Sequence, residues 1–175
     1  GEAFLGRMSL IFYKEIGFTK SDIGIFSKGL GWITTVLFTL IGGFLTVKIG
    51  LVRSIFIAGI FMAVTNLLFS LLFWTGKNYL IFSIAVILDD LAAAFATVAF
   101  VAFISVLVNR QYTATQYALL ASIGTLGRTT LASSSGSLVD YLNGDWGLFF
   151  IITCVMVVPS LTLIFFLKGK IKALN

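Results

Sequence analysis

Asp89 and Asp90 stand side by side within an apolar run that extends from Tyr79 to Val108. The run is long enough to cross a bilayer, which takes about 20 apolar residues. A carboxylate in hydrocarbon costs at least ~2.5–3.5 kcal/mol even on insertion scales, so such a pair belongs against protein or a water-filled cavity. There it serves as a functional site, or else as a structural ion pair or helix-cap contact. Consecutive helical residues differ by about 100° in direction, so the two acids cannot address the same point. The spacing predicts that one faces a cavity while the other bonds a neighbouring helix.

Four more ionisable residues lie in apolar surroundings: Glu2, Arg7, Lys28 and Arg128. At ~1.5 Å of rise per residue, the aspartates fall roughly 15 Å from the nearer end of their helix and Lys28 roughly 8 Å from its own. Arg7 lies at a depth similar to Lys28, Glu2 nearer the middle, and Arg128 roughly 22 Å from the opposite end. Gathered round an aqueous cavity, these groups become tolerable. Lys28 and Arg128 are then candidate substrate-binding cations, the arginine as a bidentate fork for carboxylate or phosphate. Asp89, Asp90 and Glu2 are candidate proton-coupling groups, since desolvation favours a protonated carboxyl. In the structural alternative, Arg128 neutralises an aspartate and lets the helices pack. Arg7 fits a side chain that snorkels to the interface, and Lys28 can do the same.

The elements that must position these residues are legible from composition. Of 175 residues, 59% are hydrophobic and 11% charged, more apolar surface than a soluble domain of this length can hide. The fold class is an all-α membrane protein, a single membrane domain over residues 1–175. A transmembrane barrel would show alternating segments of about 10 residues, whereas these runs are continuous. Histidine is absent and Cys154 is the single cysteine, so no disulfide forms within the chain and no histidine-based metal site is expected. No cofactor is implied. No histidine or cysteine cluster, serine–histidine pair or phosphate loop suggests an enzyme. The net charge of +5 is scattered over short turns, where membrane topology explains it without nucleic acid.

Six helices are predicted, over about 3–13, 23–47, 51–73, 79–108, 113–139 and 147–167. Ser21 or Asp22 is the expected N-cap of the second, and Pro159 should kink the sixth. The fifth carries a face of small residues, Ala121, Gly124, Thr125, Thr129 and Ala132, suited to close helix approach. Alternate turns fall on opposite sides. Lys48, Arg53, Arg110, Lys168, Lys170 and Lys172 gather on one; Lys14, Lys20 and Lys77 on the other with Glu15, Asp22, Asp140 and Asp145. The positive-inside rule places the first side, and the C-terminus, in the cytoplasm. The chain opens at Gly1 inside an apolar stretch with no signal-peptide pattern, and is expected to be a piece of something longer.

The turn after the second helix carries Gly43, Leu45, Lys48, Gly50 and Arg53 at spacings that resemble a cytoplasmic loop motif of major facilitator transporters, with Val47 where that motif has an acid. A broader resemblance is to the AmpG-like muropeptide permeases of that superfamily. It is carried by Gly17 and Phe18, by Ser27, Lys28 and Gly31, by the block Thr113 to Ala121, and by Gly127 with Arg128. Ala92, Ala93 and Ala94 replace glycines common in the family, and Ser133 stands where a proline is frequent. The resemblance implies six helices forming the C-terminal half of a twelve-helix transporter, with the N-terminal half as partner. It also implies proton-coupled import of a sugar-peptide across the bacterial inner membrane, and places Glu2, Lys28, Asp89 and Arg128 at positions where the family has an acid, a lysine, an acid and an arginine. Alternatives are a carrier of acetyl-CoA or another organic anion, and a non-transporting membrane subunit or receptor.

Overall fold

The computed structural model describes residues 2–108 and 113–172 and, within these, the side chains outside 2–5, 7, 27–28, 30 and 167–172. The side chains of Glu2, Arg7, Lys28, Lys168, Lys170 and Lys172, and all of Arg110, therefore lie outside the described residues.

The described chain is helical throughout apart from short turns. In order come α1 (Glu2–Glu15), α2 (Lys20–Ile23), a π-helical segment (Gly24–Leu30), α3 (Gly31–Ile49), α4 (Leu51–Thr75) and α5 (Tyr79–Leu107). Then follow α6 (Thr113–Ser133), α7 (Ser135–Tyr141), α8 (Trp146–Val155) and α9 (Val157–Lys172). Among the described residues, four stretches are long and apolar enough to cross a membrane: Lys20–Ile49, Leu51–Thr75, Tyr79–Leu107 and Trp146–Phe166.

Two local features differ from the sequence reading and a third follows it. The cap of the second helix is Thr19, not Ser21 or Asp22. The Thr19 hydroxyl accepts from the Asp22 amide at 3.1 Å and the Asp22 carboxylate accepts from the Thr19 amide at 2.9 Å, a reciprocal capping box. The sixth helix breaks at Met156, in the turn before Pro159, as the expected proline kink requires. A proline ring clashes with the carbonyl four residues earlier, here that of Val155, so the ladder gives way one turn upstream. The fifth helix is not continuous to 139. Ser133, Ser134 and Ser135 each turn a hydroxyl back onto the carbonyl three residues earlier, at 2.7–2.8 Å, and the helix breaks at Ser134. Side chains that compete for backbone carbonyls bend helices, so a serine run performs here what a proline would do.

Helix α5 is the centre of the packing, between α3 and α4; α4 also carries α8 and α9, and α1 packs on α6. One end of the bundle is knitted by aromatic rings. Phe12 and Tyr13 of α1 meet Phe69 of α4, Phe82 of α5 and Phe150 of α8, all buried. The Phe12–Phe150 centroids are 4.7 Å apart and the Tyr13–Phe82 centroids 4.9 Å, both edge-on. Such pairs add about 0.5–1.5 kcal/mol each beyond the area they bury. The Trp146 indole donates to Glu15 at 2.7 Å, tying the start of α8 to the end of α1. At this aromatic end the Lys77 ammonium lies 3.8 Å from Asp22 and over the rings of Phe18 and Tyr79. Hydrogen bonding beside Tyr79 holds it above the usual lysine range. At the basic end, Gly50 adopts φ +87°, which lets the chain reverse between α3 and α4. The outward surface is apolar, with Trp32, Val47 and Phe166 largely exposed, as a lipid-facing surface requires.

Candidate functional site: a split carboxylate pair beside a cationic cavity

Asp89 and Asp90 occupy the first half of the 29-residue α5, and both are partly buried. Their 100° divergence sends them to different neighbours. Asp90 turns to α3, where the Thr34 hydroxyl donates to its Oδ2 at 2.7 Å. Asp89 turns to α4, where the Thr65 hydroxyl lies 3.3 Å from its Oδ1. Asp90 bonds a neighbouring helix as one of the two acids is expected to, and Asp89 reaches toward the opposite flanking helix. Neither threonine was predicted as a partner. Threonines inside apolar helices usually satisfy themselves on their own preceding turn, as Thr46 does on Gly42, so their type alone carried no signal.

The two contacts are unequal. Thr34 also approaches the Gly31 carbonyl, at 3.0 Å, and Thr65 the Met62 carbonyl, at 3.0 Å. A hydroxyl has one proton to give. For Thr34 the carboxylate is the shorter contact; for Thr65 the carbonyl is. The Thr34 proton therefore goes to Asp90, while the Thr65 proton goes chiefly to the backbone.

Close approach of α3 to α5 depends on missing side chains. A Cβ on Gly31 would lie 3.1 Å from the Asp90 carboxylate, and one on Gly42 3.3 Å from the Phe95 Cα. Gly43, which the loop motif nominates, has looser surroundings, with Val98 at 4.0 Å. Of the other motif positions, Lys48 lies over the Phe44 ring at 5.9 Å and Arg53 is exposed. Beside Thr65, Asn66 is buried, and its Nδ2 has no hydrogen-bond partner among the described residues.

Arg128 lies elsewhere. It lines a cavity of about 620 Å³ between α4, α5, α6 and α9, whose walls include Met62, Thr97, Phe100, Thr125 and Ser160. The lining is apolar apart from a few hydroxyls and the guanidinium. Neither aspartate belongs to it. Gly124, one turn before Arg128, lies against Phe100, whose ring tip would meet an added Cβ at 2.8 Å. The structure therefore brings Asp89 and Asp90 together on α5 and puts Arg128 in a neighbouring compartment, with Met62 forming part of the wall next to the Thr65–Asp89 contact. Partly buried carboxylates can take and release protons, and a guanidinium at the edge of an apolar cavity can hold an anionic group.

Comparison with known proteins gives a consistent picture. A protein designated AmpG 4 in Rickettsia felis is 34% identical over 171 residues, covering 98% of this chain and 41% of its own length. The anhydromuropeptide permease of Escherichia coli K12 is 32% identical over 165 residues, covering 94% of this chain and 33% of its own length. A protein designated AmpG 1 in Rickettsia prowazekii is 32% identical over 160 residues, covering 91% of this chain and 36% of its own length. The chain thus spans between a third and about two fifths of the length of these curated relatives. No family model matches it.

Proposed function

Since this chain belongs with the AmpG-type permeases along 91–98% of its length, we propose that it is part of a membrane carrier that brings cell-wall muropeptides into the cytoplasm. The observation that carries the reading is that near-complete match to relatives named for transport, not catalysis. In this reading the chain supplies six spans, the C-terminal half of a twelve-helix major facilitator transporter in a bacterial inner membrane. Its C-terminus is cytoplasmic, and the remaining length of the transporter provides the opposing half. Two halves rocking about a midplane site give alternating access.

Lys28 and Arg128 hold anionic groups of the sugar-peptide, and Asp89, Asp90 and Glu2 carry the coupling proton. The partly desolvated position of the aspartates, with threonine hydroxyls for neighbours, supports the proton role. The guanidinium in the cavity wall supports the anion role. The largely apolar lining favours a second reading of the cargo, an organic anion with an apolar body, within the same fold.

The test is uptake of radiolabelled anhydromuropeptide into cells that express the intact transporter, with Arg128→Gln and Asp89→Asn compared at matched membrane levels. Arg128→Gln should raise the half-saturating concentration at least tenfold, as loss of a charge-assisted hydrogen bond would. Asp89→Asn should abolish accumulation against a gradient while substrate exchange continues. Wild-type accumulation by both variants would refute the assignment of these residues. An intact transporter that moves no muropeptide but moves an apolar organic anion would establish the second reading.

A further inference from the structure

The π-helical segment Gly24–Leu30 interrupts the span Lys20–Ile49 immediately before Gly31, where an added Cβ would lie 3.1 Å from Asp90 Oδ2. Longer π stretches are uncommon, and π turns inside α-helices cluster at functional positions because they accommodate an extra residue per turn. Such a segment needs something to hold its register, since an α-helical register is always available. At its upstream end the Thr19–Asp22 capping box and the buried Ile23 fix the chain. At its downstream end the fixing group comes from another helix. Gly31, the first residue after the π turn, exposes its backbone to the Asp90 carboxylate, and its carbonyl faces the same Thr34 hydroxyl that donates to Asp90. The junction is thus clasped by three residues: Gly31 by lacking a side chain, Thr34 by its hydroxyl, Asp90 by its carboxylate.

We infer that Gly31, Thr34 and Asp90 form a register lock that keeps residues 24–30 in the π form and thereby sets where the backbone at Lys28 lies. Releasing the lock lets the segment take the α register relative to α3. A one-residue change of register turns a position by about 100° and shifts it about 1.5 Å along the axis. On a Cα radius of about 2.3 Å this moves a residue of the segment by about 4 Å. Lys28 lies within the segment, so its backbone moves with it. Gly31, Thr34 and Asp90 are therefore positioning residues for Lys28, and Asp90 has a conformational task separate from any proton it carries. The consequence for Lys28 rests on the substrate-binding role proposed above; the lock itself does not.

Spin labels at Ile25→Cys, an exposed position in the π segment, and Leu80→Cys, an exposed position on α5, report the register in the intact transporter in a cysteine-free background. Pulsed dipolar spectroscopy is run on the parent and on Thr34→Val, Gly31→Ala and Thr34→Ser. Valine keeps the shape of threonine without the hydroxyl, alanine pushes the carboxylate off the junction, and serine keeps the hydroxyl. A distance change or second population displaced by about 3–4 Å in Thr34→Val or Gly31→Ala, with a parent-like distribution in Thr34→Ser, is the expected result. Unchanged distributions in both variants, or a shift in Thr34→Ser as well, would overturn the lock. No substrate enters the measurement, so its outcome is independent of whether the carrier moves muropeptides.

Discussion

Removing the Thr34 hydroxyl should cost the fold more than removing the Thr65 hydroxyl, although both threonines face aspartates on the same helix. The reasoning is geometric. Hydroxyl-to-oxygen bonds are commonest near 2.7–2.8 Å. Thr34 meets Asp90 at 2.7 Å, shorter than its 3.0 Å approach to the Gly31 carbonyl. Thr65 meets Asp89 at 3.3 Å, longer than its 3.0 Å approach to the Met62 carbonyl. With one proton per hydroxyl, the first pair holds a direct interhelical bond and the second a shared remnant. Side-chain hydrogen bonds between helices in membrane proteins average about 0.6 kcal/mol and reach about 1.7 kcal/mol in double-mutant cycles. The short contact to a carboxylate belongs near the top of that range and the long one below its mean. The expected coupling is therefore about 1–1.7 kcal/mol for Thr34 with Asp90, and under about 0.5 kcal/mol for Thr65 with Asp89. Two cycles built from Thr→Val and Asp→Ala substitutions, read as equilibrium unfolding in mixed micelles, measure both. Equal couplings, or a larger one at Thr65 and Asp89, would refute the assignment of the single proton.

Two other predictions concern orientation and packing. With Cys154 replaced by serine, Arg53→Cys at the basic end should resist impermeant thiol reagents applied to intact cells while Lys77→Cys at the aromatic end reacts; the opposite pattern would invert the proposed topology. Gly42→Ala should destabilise the fold more than Gly124→Ala even though the latter creates the closer contact, 2.8 Å against 3.2 Å. The obstacle at Gly42 includes the Phe95 backbone, which makes an overpacking cost of about 1–3 kcal/mol hard to relieve. At Gly124 it is the tip of a partly exposed Phe100 ring, which can swing aside, so the gain of about 1 kcal/mol in helix propensity can prevail. A thermal-unfolding midpoint lower for Gly124→Ala than for Gly42→Ala would contradict this.

How much of the architecture was legible depends on which physical signal each feature leaves in the chain. Long apolar runs separated by polar turns announce spans directly, and α4 and α5 lie within two residues of their expected bounds at either end. The glycine-marked turn at Gly50 is equally direct, because few other residues tolerate its φ. The cap of the second helix was misplaced because Thr19, Ser21 and Asp22 are all capping types; only the reciprocal pairing of Thr19 with Asp22 three residues later distinguishes them, and that pattern was present to be read. The break at Ser134 likewise had a signal in three consecutive serines, which a hydropathy reading averages away.

The site was legible in part for a different reason. Charge in an apolar run is visible from sequence, so Asp89, Asp90 and Arg128 could be nominated one by one. Which compartment each enters depends on the rotation of α5 and α6 about their own axes, and small residues at an interface leave that rotation open until neighbours are known. Thus depth alone put Arg128 near the aspartates, whereas the packing of α6 against α1 and α5 turns it into the cavity lined by α4 and α9. The π segment is less visible still. Its glycines Gly24 and Gly29 carry no signal of a π turn, and what fixes its register is a contact between residues 56 positions apart, Thr34 and Asp90. An adjacent acid pair within a span thus has a use that spacing alone does not suggest. Two carboxylates about 100° apart on one helix can engage two neighbouring helices at once. That arrangement joins α3, which follows the π segment, to α4, which borders the Arg128 cavity, through adjacent residues of α5.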